Sequence, residues 1–341
     1  MKKTLLFCIM GLLYAGSAIA QHDVQRTTHV YCVKDQDSLY LDIFEDKALV
    51  SEAPRPVMIY VHGGAFSAGS RKNAAQEVFS RHYAEQGYVS VSIDYRLGLA
   101  EGNHYGARNL TEVVLLGNED LLDATLFLLN KKDELNIDPA KIILAGGSAG
   151  AVNCLALEYD LCSQKPFTKR LPEGFDYAGV ISQAGCLLLE EDDQLHWRRM
   201  PCPIMLMHGD LNGENDGYLP LHRAKLVRDI VADDLWGGSY YLDQTLNEIN
   251  APHWTYIEKG ADHCVAIKSL TANLDETDFF IKQFVWGKKQ GRAYTEIYDQ
   301  EPVSMSDVQQ MIKFAPLYIL GYGMYLDEMQ QQQNQPTGVV L

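Results

Sequence analysis

One stretch limits the possible folds more than any other part of this 341-residue chain: Lys141-Ile-Ile-Leu-Ala-Gly146-Gly147-Ser148-Ala149-Gly150-Ala151. Its apolar, β-branched first half reads as a buried strand, and Leu155 and Leu157 carry the second half on as an apolar helix. A strand that passes into a helix through G-x-S-x-G must turn sharply, and the serine at the apex takes a strained backbone conformation. The residues two before and two after must be small enough for the two segments to pass. Here both are glycine, Gly146 and Gly150.

The surrounding sequence alternates between the two periods. Leu39, Leu41 and Ile43 alternate with Tyr40, Asp42 and Phe44, the period-two pattern of a half-exposed strand, and residues 57–61 form a second strand. A helix is expected over residues 71–86, stopped by Gly87, and then a strand over 88–93. Leu122, Leu126 and Leu129 mark a helix over 119–130, and Asp138-Pro139 separates it from the strand at 141–145. Further strands are expected at 177–182, 203–207 and 253–258, with a closing helix at 276–286. Such alternation predicts an α/β fold, a mostly parallel central sheet with helices on both faces. A further helix is expected at 306–314, and the Gln-rich end suits a disordered tail. With no repeat and no Pro/Ser-rich linker, residues 21–328 read as one domain and 329–341 as the tail.

Lys2 and Lys3, the mostly apolar run at 4–14 and the small-x-small site Ala18-Ile19-Ala20 predict a signal peptide over residues 1–20. The apolar run is too short and too interrupted by Gly11 and Gly16 to span a bilayer well, so export to the periplasm or medium without stable membrane insertion is expected. Losing that segment moves the formal charge from −16 to −18, which excludes phosphate-backbone binding as the natural role. Of the seven cysteines, Cys32, Cys154, Cys162, Cys186, Cys202 and Cys264 would remain. An even count in an oxidising compartment permits disulfides, but no CxxC pair occurs, and buried free thiols fit equally. The acidic run at 190–193 reads as a solvated face, and neither metal nor cofactor is expected.

Ser148 as a nucleophile needs a base, a group that orients the base, and donors for the charge that develops on a carbonyl oxygen. His62-Gly63-Gly64-Ala65-Phe66 follows the strand at 57–61, and its glycines let backbone N–H groups approach a substrate. With the N–H of Ala149, those of Gly63 and Gly64 could form an oxyanion hole, His62 holding the loop. His263, in Gly260-Ala261-Asp262-His263, lies between a strand and the last helix, at the sheet edge where such folds bind ligands. Asp262 is adjacent, but its side chain would point away from its neighbour's. The orienting acid is therefore expected after the strand at 203–207, where Asp210, Glu214 and Asp216 are all possible.

Taken in order, His62-Gly63-Gly64, Asp94-Tyr95-Arg96-Leu97, Asp120 to Ala124, Gly146 to Gly150, His208-Gly209 and His263 resemble the α/β-hydrolase superfamily. Within it they resemble the carboxylesterases related to hormone-sensitive lipase and the bacterial feruloyl and acetyl esterase-like proteins. The resemblance covers residues 39–286 and implies the α/β-hydrolase fold, a Ser-acid-His mechanism and small-molecule or glycan-linked ester substrates. The family pattern sets the acid four residues after the histidine of His208-Gly209, a position held here by Asn212. Counting back from Pro220 instead aligns Asp216 with that acid across four inserted residues, with Asp210 the second choice. Residues 221–241, rich in Trp236, Tyr240 and Tyr241, are expected to form a pocket wall or a surface helix. An exported peptidase of the same fold and a catalytically silent binding protein, the latter suggested by Asn212, are the competing readings.

Overall fold

The computed structural model describes residues 22–34, 36–49, 51–107, 109–189, 194–210, 222–223 and 235–298. The expectations for 1–20, 190–193, 306–314 and 329–341 lie outside these residues, as do those for Asn212, Glu214 and Asp216.

In chain order the elements are β1 (Val24–Lys34), β2 (Asp37–Asp46), β3 (Arg55–Val61), α1 (Ala74–Glu85), β4 (Val89–Ile93), α2 (Leu110–Asn130), β5 (Ile137–Gly147) and α3 (Ala149–Cys162). There follow β6 (Gly179–Gln183), β7 (Leu187–Leu188), β8 (Ile204–Gly209), β9 (His222–Arg223), β10 (Leu235–Gly237), α4 (Ser239–Glu248), β11 (His253–Lys259), α5 (Val265–Lys268), α6 (Leu274–Phe280) and β12 (Arg292–Tyr298). Nine strands form one sheet in the order β1-β2-β4-β3-β5-β6-β8-β11-β12. Within it only the β1–β2 and β2–β4 pairings are antiparallel; the rest are parallel. The expected mostly parallel sheet between helical layers is the one observed.

Alternation of side chains sorts the core onto two faces. Val57, Ile59 and Val61 of β3 face one apolar cluster with Val113 and Leu121 of α2, Leu155 of α3 and Leu242 of α4. Met58 and Tyr60 face the other, with Phe79 and Tyr83 of α1 and Phe280 and Phe284 near the C-terminal side of the domain. Both sides of the central strands are therefore covered, which is why they read as continuous apolar runs.

Connectivity sets the position of the site. From β3 the chain crosses through α1 to β4 on one side, then returns through α2 to β5 on the other side of β3. The direction of winding reverses between β3 and β5, and a crevice opens at their carboxyl ends at such a switch point.

Several boundaries differ from the sequence expectation. β1 is an eleven-residue strand with mostly exposed residues, antiparallel to β2, in a region where no strand was expected. Its polar side chains show no apolar alternation, and it is held by backbone pairing along the sheet edge. β12 likewise adds a parallel edge strand after the closing helix. α2 begins at Leu110, nine residues early, capped by the Asn109 side chain, which accepts from Glu112 N–H at 2.9 Å. Gly117 lies inside it because a Cβ there would stand 2.3 Å from the Asn153 side chain of α3. The expected helix at 276–286 is α6 followed by a wider π-helical turn over Ile281–Trp286. Trp236 lies in β10, which joins β7 and β9 in a small antiparallel sheet, and Tyr240 and Tyr241 open α4.

Candidate active site

Ser148 occupies the apex between β5 and α3 with φ 52° and ψ −121°. These angles are those of the first central residue of a type II′ turn, a position that glycine normally fills. The turn is locked from three sides. Ser148 N–H donates to Gln183 O at the end of β6 (2.8 Å), while a Cβ at Gly146 would stand 2.5 Å from the Gly150 carbonyl carbon. A Cβ at Gly150 would stand 2.0 Å from Val61 O of β3. The two glycines are thus required by backbone approach, for the reason the motif suggested.

The loop after β3 lies against Ser148. A Cβ at Gly63 would come within 3.1 Å of Ser148 Cβ, and Gly64 (φ 120°) has no room for one beside Ala68 O. Gly64 O accepts from Ser67 and Ala68 N–H, and Leu99 N–H donates to Phe66 O, which holds the loop closed. Buried His62 donates from Nδ1 to Gly63 O (2.7 Å) and stacks on Tyr95, whose hydroxyl donates to His62 O (3.0 Å). Burial pushes the His62 imidazole below its ordinary pKa, so the ring stays neutral and acts as a brace. Ala149 is the first residue of α3, so its N–H has no acceptor within the helix.

His263 arrives from the loop after β11, and its Nε2 lies 2.8 Å from Ser148 Oγ. Ser148 and His263 are 115 positions apart in the chain. Gly260, at φ 80°, turns the chain out of β11, and Lys268 pairs with fully buried Glu258 at 2.8 Å, tying α5 to the strand. Asp262 turns to its own backbone, its Oδ1 accepting from Cys264 N–H at 2.8 Å. Asp210 accepts from Gly260 N–H (2.5 Å) and pairs with Lys259 (2.5 Å). Burial works against its charge, but the Lys259 ammonium and the Gly260 N–H outweigh that and hold the carboxyl below its usual range. Its carboxylate therefore braces the base of the histidine loop. Asp216 falls outside the described residues.

The remaining motif residues are scaffold. Arg71 pairs with Asp94, and Arg96 is gripped by Asp120 through its Nε (2.9 Å) and its backbone N–H (2.8 Å). His208 bonds Ser239 at 2.8 Å in the core. All six cysteines outside residues 1–20 are free thiols. No group of three metal-ligating side chains occurs among the described residues, and none of the described helices is long and apolar enough to cross a membrane. The sequence reading missed the parts played by Tyr60 and Gln183: the Tyr60 hydroxyl donates to Gln183 Oε1 (3.1 Å), and the Gln183 carbonyl pins the elbow. Long-range contacts of this kind carry no local signal.

Comparison with known proteins agrees with the fold. The BD-FAE family model matches residues 41–157. Gut esterase 1 of Caenorhabditis elegans is 28% identical over 139 residues, 40% of this chain and 23% of that protein. Venom carboxylesterase-6 of Apis mellifera is 31% identical over 142 residues, again 40% of this chain and 24% of that protein. The chain thus matches only about a quarter of the length of these curated relatives. Among solved structures, Thermogutta terrifontis esterase 2 phosphoramylated by tabun superposes with a TM-score of 0.51 at 17% identity, over 77% of this chain and 94% of that one. The chain therefore has the α/β-hydrolase fold, and its residues 41–157 are similar to the BD-FAE family and to carboxylesterases.

Proposed function

We propose that this chain is an exported serine carboxylic ester hydrolase acting on short-chain acyl or carbohydrate-linked esters. The observation that carries the reading is the 2.8 Å hydrogen bond between His263 Nε2 and Ser148 Oγ at a strained elbow beside a glycine loop. His263 takes the Ser148 proton as Oγ attacks the ester carbonyl, and the tetrahedral oxyanion is met by the N–H groups of Gly63, Gly64 and Ala149. The proton passes to the departing alcohol, leaving an acyl-serine. Water, deprotonated by His263, then attacks the acyl-serine; the proton returns to Ser148 as the acid leaves. Asp216 is the proposed partner of the second imidazole nitrogen, because Asp210 is engaged by Lys259 and Gly260. Lys2, Lys3 and Ala18-Ile19-Ala20 support export, and a mature protein that begins at Gln21 checks it.

The test is hydrolysis of 4-nitrophenyl acetate, butyrate and octanoate, with Ser148→Ala in parallel and fluorophosphonate labelling of both proteins. The parent is expected to be labelled and to favour the short acyl groups, and the variant to do neither. An unlabelled, folded parent would leave a binding protein, and full turnover by Ser148→Ala would remove the assigned nucleophile.

A further inference from the structure

A cavity of about 170 Å³ opens beside Ser148 and Gly63 and runs toward the first turn of α1. Tyr60, Ser70, Asn73 and Gln76 line one part of it, and Ile267 and Leu270 another. The buried face of α1 includes Gln76, Phe79, Ser80 and Tyr83, spaced as one helical stripe facing the sheet. Gln76 therefore holds a position that packing alone would give to an apolar side chain. Its residue is 2% exposed, and neither its Oε1 nor its Nε2 has a hydrogen-bond partner among the described residues. Leaving a buried carboxamide unpaired is costly, so such a group in a native core asks for an explanation.

The cavity supplies one. None of the cavity's lining residues is charged, with His62 kept neutral by burial. Asn73 spends its Oδ1 on Ala75 N–H at 2.9 Å, which directs its amide hydrogens away from the helix end it caps. The volume admits a group of only a few heavy atoms, and the Gln76 carboxamide offers it both a donor and an acceptor.

Resting on the hydrolase reading of Ser148, we propose that Gln76 is a specificity residue. Its carboxamide hydrogen-bonds a neutral oxygen, as hydroxyl, ether or carbonyl, on the part of the ester that lodges in this cavity. Short esters that carry such an oxygen are preferred over alkyl esters of equal size, since an alkyl group would bury Gln76 without a partner. A site built to bond a substrate oxygen discriminates far more strongly than an apolar pocket that merely fits.

Two isosteric pairs test this and show which side of the ester occupies the cavity. On the acyl side, 4-nitrophenyl methoxyacetate is compared with 4-nitrophenyl butyrate; on the alcohol side, 2-methoxyethyl butyrate is compared with butyl butyrate. The readout is the ratio of kcat/KM within each pair, for the parent and for Gln76→Leu, with Gln76→Met as a second apolar variant. The ratio is expected to fall at least ten-fold in the variants for one pair, and that pair names the side. Ratios unchanged in both pairs, or both members falling together, would overturn the proposal and leave Gln76 a structural residue. The same compounds are titrated into Ser148→Ala with and without Gln76→Leu, by ligand-observed NMR. If the parent turns over none of them, the hydrolase reading fails, and the binding preference decides Gln76: lost with the carboxamide, the proposal stands; absent from the start, it falls.

Discussion

Replacing Ser148 by glycine rather than alanine separates the chemistry of this position from its backbone strain. Both substitutions remove Oγ and with it the hydrogen bond to His263, so both should abolish turnover and be equal in that respect. They differ in the backbone. At φ 52° and ψ −121° a residue with a Cβ carries a strain of about 1–3 kcal/mol, which alanine keeps and glycine relieves. Glycine gives back roughly 0.5–1 kcal/mol through the greater freedom of the unfolded chain. Taking the middle of each range, the glycine variant should therefore be the more stable of the two by about 1 kcal/mol. At an m-value of about 3 kcal/mol per M, this moves the urea midpoint upward by roughly 0.3–0.4 M relative to Ser148→Ala. Parallel urea titrations followed by circular dichroism and tryptophan fluorescence would measure it. Coincident midpoints, or a more stable alanine variant, would show that the elbow stores no strain at Ser148 and would refute the reasoning.

Two further outcomes are expected. Asp216→Asn should lower kcat by about 10³–10⁴ with little change in KM, as loss of the group that orients a catalytic imidazole does, while Asp210→Asn should lower it less than about ten-fold; equal losses measured by steady-state kinetics would show that both acids support the histidine. Asp243 has a 3% exposed side chain, and burial opposes its charge, yet His253, Arg292 and Thr255 hold its pKa at about 2. A carboxyl depressed on folding stabilises the fold above its unfolded pKa near 4 and loses that contribution as pH falls toward 2, here about 2 kcal/mol. Urea titrations of the parent and Asp243→Asn should differ at pH 7 and converge near pH 2; a constant gap would refute the linkage.

The parts of the fold that could be read from the sequence were those in which one physical demand dominates. β3 and β5 are covered on both faces, so their central residues 57–61 and 142–145 are almost uniformly apolar, and the glycines of the elbow answer a backbone collision within five residues. β1 and β12 were missed because an edge strand is held by main-chain hydrogen bonds and leaves its side chains in water, so its composition carries no period. The early start of α2 was hidden by Gly117, which looks like a helix breaker and is instead a contact point for Asn153. Ser148, His263 and the loop at His62 were found from local motifs, and the structure brings them together. Gln76 was not singled out, although a glutamine on the face of α1 that also carries Phe79 and Tyr83 was a signal in plain sight.

The reversal of winding between β3 and β5 divides the site into halves of unequal tolerance. The proposed donors at Gly63 and Gly64 and the proposed nucleophile at Ser148 hang from one hydrogen-bonded strand pair, in which Val61 stands opposite Gly146. Their spacing is fixed by that register and by contacts too close for a single added carbon. His263 comes from β11, separated from β5 by β6 and β8, on a loop that only has to deliver one ring nitrogen. A change of length in the first half would dismantle the site, whereas one in the second could be absorbed by the loop. The family match over 41–157 runs from β2 through most of α3 and stops well before His263, so the shared sequence coincides with the half of the machine that has no slack.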